Sequence, residues 1–227
     1  MISLSSFVNA VLQKTVELYP TDDAKVDEFF PFNNYKASKS LEVRNGIGLF
    51  GGGWEIDSLL KFNLSSIPKN ATILSAELKL YYYKWKDTDP AGREPSLYEI
   101  ISDWSEDDVT WNNKPDYATE KIASATVPSS EGKWMTWDVR DSVEEILNGK
   151  EWYGWVIKDD EAWGSTSIPY IFFYSKENAN NKPYLSITYE IAEEEKDGKG
   201  IPGWEVFALC TAILIAFIWR KGIRGNI

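Results

Sequence analysis

Residues 73–85, ILSAELKLYYYKW, alternate apolar and polar side chains along their length, and no other stretch constrains the fold as tightly. A period of two marks a strand with one buried face. Leu78, Leu80 and Tyr82 fall on one side of that strand. Glu77, Lys79, Tyr81, Tyr83 and Trp85 fall on the other. The first set is core-like. The second joins charge to three aromatic rings, a combination that suits a solvated aromatic face.

Other short apolar runs read as strands: 15–18, 40–43, 58–63, 97–102, 134–139, 153–158, 170–175 and 184–189. Gly46, Gly48 and the triplet Gly51, Gly52 and Gly53 mark turns or a bulge between them. One helix is expected over Asp141–Leu147, with Val143, Ile146 and Leu147 on one face and Gly149 past its end. Short strands at this spacing predict an all-β sandwich or barrel.

Asp103–Pro115, DWSEDDVTWNNKP, places two tryptophans, a run of acids and a turn signal close together. Leaving a Trp in water forgoes several kcal/mol at about 25 cal/mol per Å². Trp104 and Trp111 are therefore expected to turn inward and pin a corner. Ser105 and Asp108 have the spacing of a capping box for a short helical turn. Asn112 to Pro115 reads as a turn.

What is missing from the composition narrows the chemistry. The 227 residues include no His and one Cys, Cys210. That excludes His-dependent triads, His-ligated or Cys-based zinc and an intramolecular disulfide. The net charge of −11 repels phosphate backbones, so no nucleic-acid partner is expected.

The ends differ from the middle. Residues 1–13 have no basic start and only a weak apolar run, so they read as a weak signal remnant or a disordered segment. Residues 190–203 form an acidic linker. In the segment 204–227, Val206–Trp219 is apolar without a charge, and Arg220, Lys221 and Arg224 follow. This is read as a C-terminal hydrophobic helix, a membrane anchor with its basic end toward the cytoplasm. Pro202, Gly203, Trp204, the apolar run and the basic cluster resemble the PGF-CTERM sorting signal of archaeal surface proteins, with Trp204 in place of Phe. That resemblance implies export and cleavage with transfer to a lipid anchor.

Between these ends, residues 14–189 resemble the DNRLRE-domain, or disaggregatase-related, family. The carriers are Leu59–Pro68, Ala71–Ile73 with Ala76–Leu80, Trp104–Glu106 with Trp111–Pro115, and Trp137–Val139. Asn148–Gly149, Tyr153–Gly154, Phe173–Glu177 and Pro183–Leu185 complete the pattern. Asn63 stands where the family usually has Asp. The resemblance implies a single jelly-roll-type β-sandwich. It also implies carbohydrate binding, since some members are modules for polysaccharides, including alginate, appended to degradative enzymes.

Candidate site residues follow from the aromatic face. Tyr81, Tyr83 and Trp85 would stack on sugar rings, with Lys84, Lys86 and Arg93 pairing with carboxylates if the polysaccharide is acidic. The other reading of these rings is packing under a loop or against a neighbouring strand. Trp54, Trp152, Trp155 and Trp163 are further stacking candidates, Trp163 first among them because its loop is polar. Asp159, Asp160 and Glu161 crowd one loop, and Asp87 and Asp89 flank a turn; such oxygen ligands suit Ca2+, the one cofactor considered, although solvated acids are the simpler reading. Asn63 and Asn70 head glycosylation sequons, Asn63 at a strand end where packing is tight. No catalytic residue is assigned, because no motif sets two acids across a cleft. The chain is read as a non-catalytic, extracellular carbohydrate-binding module on the cell surface. The alternatives are a structural or adhesive envelope protein and a part of a polysaccharide-degrading enzyme system.

Overall fold

A computed structural model describes residues 11–47, 53–161 and 168–192. Trp163, most of the N-terminal segment, most of the linker and the whole anchor segment lie outside the described residues.

Eleven strands and one helix make up the described chain: β1 (Val11–Leu18), β2 (Pro20–Asp27), β3 (Ser40–Ile47), β4 (Gly53–Phe62), β5 (Thr72–Lys86), β6 (Ser96–Ile100), β7 (Tyr117–Ser124), β8 (Lys133–Asp138), α1 (Arg140–Leu147), β9 (Trp155–Lys158), β10 (Tyr170–Tyr174) and β11 (Tyr184–Ala192). The strands join in one curled sheet in the order β1-β11-β5-β10-β3-β4-β9-β6-β7, with β2 paired to β4 and β8 to β5. This is the mostly-β, one-helix architecture expected, consistent with a sandwich. β2 and β7 were not anticipated. β2 begins with Pro20 and is rich in acids, and β7 carries few buried side chains. Neither shows the apolar alternation that announces a strand.

The main core lies between the two halves of the curled sheet. Leu78, Leu80 and Tyr82 of β5 meet Trp137 of β8, Trp155 of β9, Phe173 of β10 and Leu185 of β11, all at most 1% exposed. Val143 of α1 is fully buried, and Ile146 and Leu147 pack on the same core. The helix ends where Gly149 takes a φ of 103° and donates its N–H to the Ile146 carbonyl at 3.0 Å.

A smaller cluster, including Ala24, Val26, Leu59, Ile100, Val109 and Val156, gathers around Trp104. Trp104 is 8% exposed and donates its indole N–H to the Tyr153 carbonyl at 2.7 Å. The expected turn forms, with the Val109 N–H on the Ser105 carbonyl at 3.0 Å. A 3-10 turn, Trp111–Asn113, stands where a plain turn was expected. Trp111 is half-buried: it packs against this cluster, and the Lys114 ammonium covers its ring, 3.2 Å from the centroid, while pairing with the buried Asp57 carboxylate at 2.7 Å. The corner is thus pinned by both tryptophans, Trp104 more deeply than Trp111, and by one ion pair.

The aromatic face and its cleft

The alternation of β5 holds from Ala76 to Tyr83 and then breaks. In the pairing with β10, Phe173 faces Tyr82 and Phe172 faces Lys84, so Tyr83 is an extra residue on its strand. A bulge of this kind reverses the parity beyond it. Trp85 faces Ile171 and packs against the main core, whereas Lys84 and Lys86 take the outer face opposite Phe172 and Tyr170. Trp85 is therefore not a third ring beside Tyr81 and Tyr83. Its backbone N–H is held by the Glu131 carboxylate at 3.0 Å. The same strand carries another irregularity at Leu74, where the β11 register shifts and Leu74 turns out to 39% exposure.

Tyr81 and Tyr83 do share the outer face, and Tyr174 stands between them. Tyr174 stacks on Tyr83 with ring centroids 4.2 Å apart and on Tyr81 at 5.8 Å, the planes within 4° and 2° of parallel. The rings stand like plates across the sheet. The Tyr83 hydroxyl is hydrogen-bonded to the Ser40 hydroxyl, and burial raises its pKa above the usual phenol value. Next to Tyr81, Trp134 of β8 packs edge-on at 5.2 Å and meets Tyr184 of β11 at 5.0 Å. On the other side, Tyr83 leads through Phe172 to Tyr170 and Trp54. Arg44, 5% exposed, inserts its guanidinium between Trp54 and Tyr170, 4.1 and 3.9 Å from their centroids. Lys84 and Lys86 remain exposed above Phe172 and Tyr170.

The stack ends at a cleft of about 840 Å³. Trp134, Tyr184 and Tyr19 supply its aromatic surface, with Trp134 39% and Tyr19 55% exposed. Asn180, Asn181, Lys176, Lys182, Glu17 and Glu177 supply polar groups around them. Flat apolar rings beside amides and charges can hold a sugar by its apolar face and its hydroxyls at once. Trp134, Tyr174 and Tyr184 escaped the sequence reading. A signal was there: Trp134 alternates with Met135 and Trp137, which are 3% and 0% exposed, and so belongs to the opposite side of β8.

Arg93 lies away from this face. It is 6% exposed, pairs with the buried Asp159 carboxylate and donates to the Glu161 carbonyl. A guanidinium locked inside an ion pair is not presented to a polysaccharide, which corrects its assignment as a ligand contact. The same geometry corrects the calcium reading of this loop. One Asp159 oxygen takes the Arg93 guanidinium and the other accepts the Glu161 N–H at 3.2 Å, while Asp160 accepts the Tyr98 hydroxyl at 2.8 Å. Burial still lifts the Asp159 carboxyl above the ordinary range, opposed by Arg93. Asp87 is likewise engaged, by Arg44 at 3.2 Å. Among the described residues, the carboxylates that converge with metal-ligand spacing are Asp23, Glu106 and Glu177.

Of the remaining candidates, Trp155 is fully buried and donates to the Ser142 hydroxyl at 3.2 Å, so it is a core residue. Trp152 is half-buried against Trp155 at 4.9 Å. Asn63 and Asn70 are both exposed; Asn63 caps its own turn by accepting the Ser65 N–H at 2.9 Å and is not packed in as feared from its strand-end position.

The tRNA nuclease WapA of Bacillus subtilis (strain 168) is 28% identical over 192 residues, which cover 79% of this chain. The tRNA(Glu)-specific nuclease WapA of Bacillus subtilis subsp. natto matches at the same identity. The chain spans only 8% of the length of these relatives, whose names describe the whole proteins. Residues 14–189 match the model of carbohydrate-binding module family 96, and the chain belongs to that family.

Proposed function

We propose that this chain is a non-catalytic module that binds polysaccharide in the cleft bounded by Trp134, Tyr184 and Tyr19. The observation that carries the proposal is the composition of that cleft, which sets three aromatic rings among amides and charged side chains. Family membership supplies the ligand class. Binding is by contact of sugar with the exposed Trp134 ring and by hydrogen bonds from Asn180, Asn181 and Lys182. Tyr81, Tyr174 and Tyr83 serve as a rigid backing, since their faces are already covered by one another. Lys84 and Lys86 continue the face with positive charge, which favours an acidic polymer despite the acidic chain as a whole.

The two-layer β fold is read as the jelly-roll type, displayed on the cell surface through the C-terminal segment. The two exposed sequons and the apolar tail support that placement. Affinity electrophoresis of the full chain through gels containing neutral and acidic polysaccharides tests the proposal. Retardation that is lost in Trp134→Ala supports it; unchanged mobility in every gel sinks it.

A structural or adhesive role is the second reading, favoured by the mutual stacking of Tyr81, Tyr174 and Tyr83. It predicts no retardation, with Trp134→Ala altering association between copies or with envelope protein.

A further inference from the structure

Asp23 of β2, Glu106 of the Trp104 corner and Glu177 of the turn after β10 each bring a carboxylate oxygen within 4.8 Å of the other two. They come from three separate parts of the chain. Asp23 is 1% exposed, and its Oδ1 has no hydrogen-bond donor among the described residues. The same is true of Glu177 Oε2, which is also buried. Two buried acceptors with no donor between them carry a desolvation cost that something must offset.

The other oxygens are accounted for. Asp23 Oδ2 accepts the Lys176 N–H at 2.7 Å, and Glu106 Oε2 accepts the Asp23 N–H at 3.1 Å. The Lys176 ammonium lies 2.8 Å from Glu106 Oε1 and 2.9 Å from Glu177 Oε1. When all three are ionised, three carboxylates against one ammonium leave two negative charges, and Asp22 adds a further acid beside Glu106. A divalent cation balances that excess. Its size also fits: two oxygens on one Ca2+ ion are separated by at most about 5 Å, given bond lengths of roughly 2.3–2.6 Å.

We propose that Asp23, Glu106 and Glu177 bind a divalent metal ion of the Ca2+ type. The ligands are hard oxygens, and the half-buried Glu106 and Glu177 leave water access to complete a coordination shell of about six to eight. The ion ties the Trp104 corner to β2 and to the wall of the cleft, which Lys176 and Glu177 also line. The site shares Glu177 with the lining of the cleft but does not rest on the sugar reading, and it is tested without any sugar.

The rival to a metal is a proton. Burial, with the Glu177 charge beside it, holds the Asp23 carboxyl well above its ordinary range, against the lowering effect of the Lys176 N–H. A raised folded-state value means that the folded chain keeps a proton the unfolded chain has released. Stability would then fall as pH rises from the ordinary carboxylate range to the raised value.

The experiment titrates the full chain, stripped with EDTA, with calcium chloride by calorimetry and follows Tm. One saturable site per chain is expected. Tm should rise by roughly 5 °C at about a hundredfold excess over Kd. Asp23→Asn and Glu177→Gln should each abolish the rise; the second keeps the test open if the first fails to fold. No saturable binding up to about 10 mM calcium, roughly tenfold beyond the weak limit of about 1 mM for extracellular sites, overturns the proposal. So does a calcium response unchanged in both variants, or a stability that answers only to pH.

Discussion

Tyr83 and Tyr174 lie ring on ring, their centroids 4.2 Å apart and their planes 4° from parallel. The contact spans β5 and β10, and Tyr83 is the residue that the bulge leaves without a partner in the β10 register. Offset stacks of this kind add about 0.5–1.5 kcal/mol beyond the area they bury. Tyr174→Leu, which keeps apolar bulk and removes the ring, should lower the unfolding free energy by about 1 kcal/mol in urea titrations. Because Tyr174 also backs Tyr81, which touches Trp134, the same variant should weaken polysaccharide retention by a few-fold.

Trp134 and Trp85 should separate binding from stability. Trp134 is 39% exposed at the cleft, while Trp85 packs on the core beyond the bulge. Trp134→Ala should lose polysaccharide affinity by at least about tenfold, the loss of one well-placed aromatic contact, with a small change in Tm. Trp85→Ala should behave in the opposite way, costing about 2–3 kcal/mol of stability through a core cavity, and binding normally once folded. Paired gel-affinity and urea measurements on both variants check the contrast. Equal binding loss in the two would contradict the placement of Trp85.

The sequence shows one strand's parity well and its interruptions poorly. Leu78, Leu80 and Tyr82 point inward as their spacing dictates, because burial of alternate residues depends on that strand alone. The exile of Trp85 to the core depends on how β10 pairs with β5, and nothing within residues 73–85 records the partner's register. Arg93 and Asp159 illustrate a similar gap. They sit 66 positions apart and neutralise each other inside the fold, so each looks like a free surface charge when read locally. Trp134 is the opposite case: its own strand carried the signal, in the alternation with Met135 and Trp137.

The Arg93–Asp159 pair gives a prediction of sign as well as size. Both side chains are at most 6% exposed. Removing one partner strands a buried charge, which typically costs about 3–5 kcal/mol. Arg93→Met and Asp159→Leu should each destabilise by that order. The double variant Arg93→Met with Asp159→Leu should recover a large part of the loss, since a packed apolar pair avoids desolvation. Binding in the cleft should survive in the double variant, because this pair lies outside the aromatic face. Urea denaturation of the three variants, completed as a cycle, measures the coupling.

Gly154 and Gly149 allow a sharper test of local geometry. Both have positive φ, 118° and 103° respectively, so any side chain is strained at either position. They differ in the space around them. A Cβ at Gly149 would meet nothing within 4 Å, whereas one at Gly154 would lie 2.5 Å from the Leu60 carbonyl oxygen. That oxygen belongs to the backbone of β4, and Leu60 pairs with Trp155 at the start of β9. Gly149→Ala should therefore cost only the conformational strain, about 1 kcal/mol. Gly154→Ala should cost that strain and also push β4 from β9 beneath the main core, for a total of about 3 kcal/mol or more. Thermal melts of the two variants measure the difference. Similar losses would mean that β9 is free to shift, which its fully buried Trp155 and Ile157 do not permit.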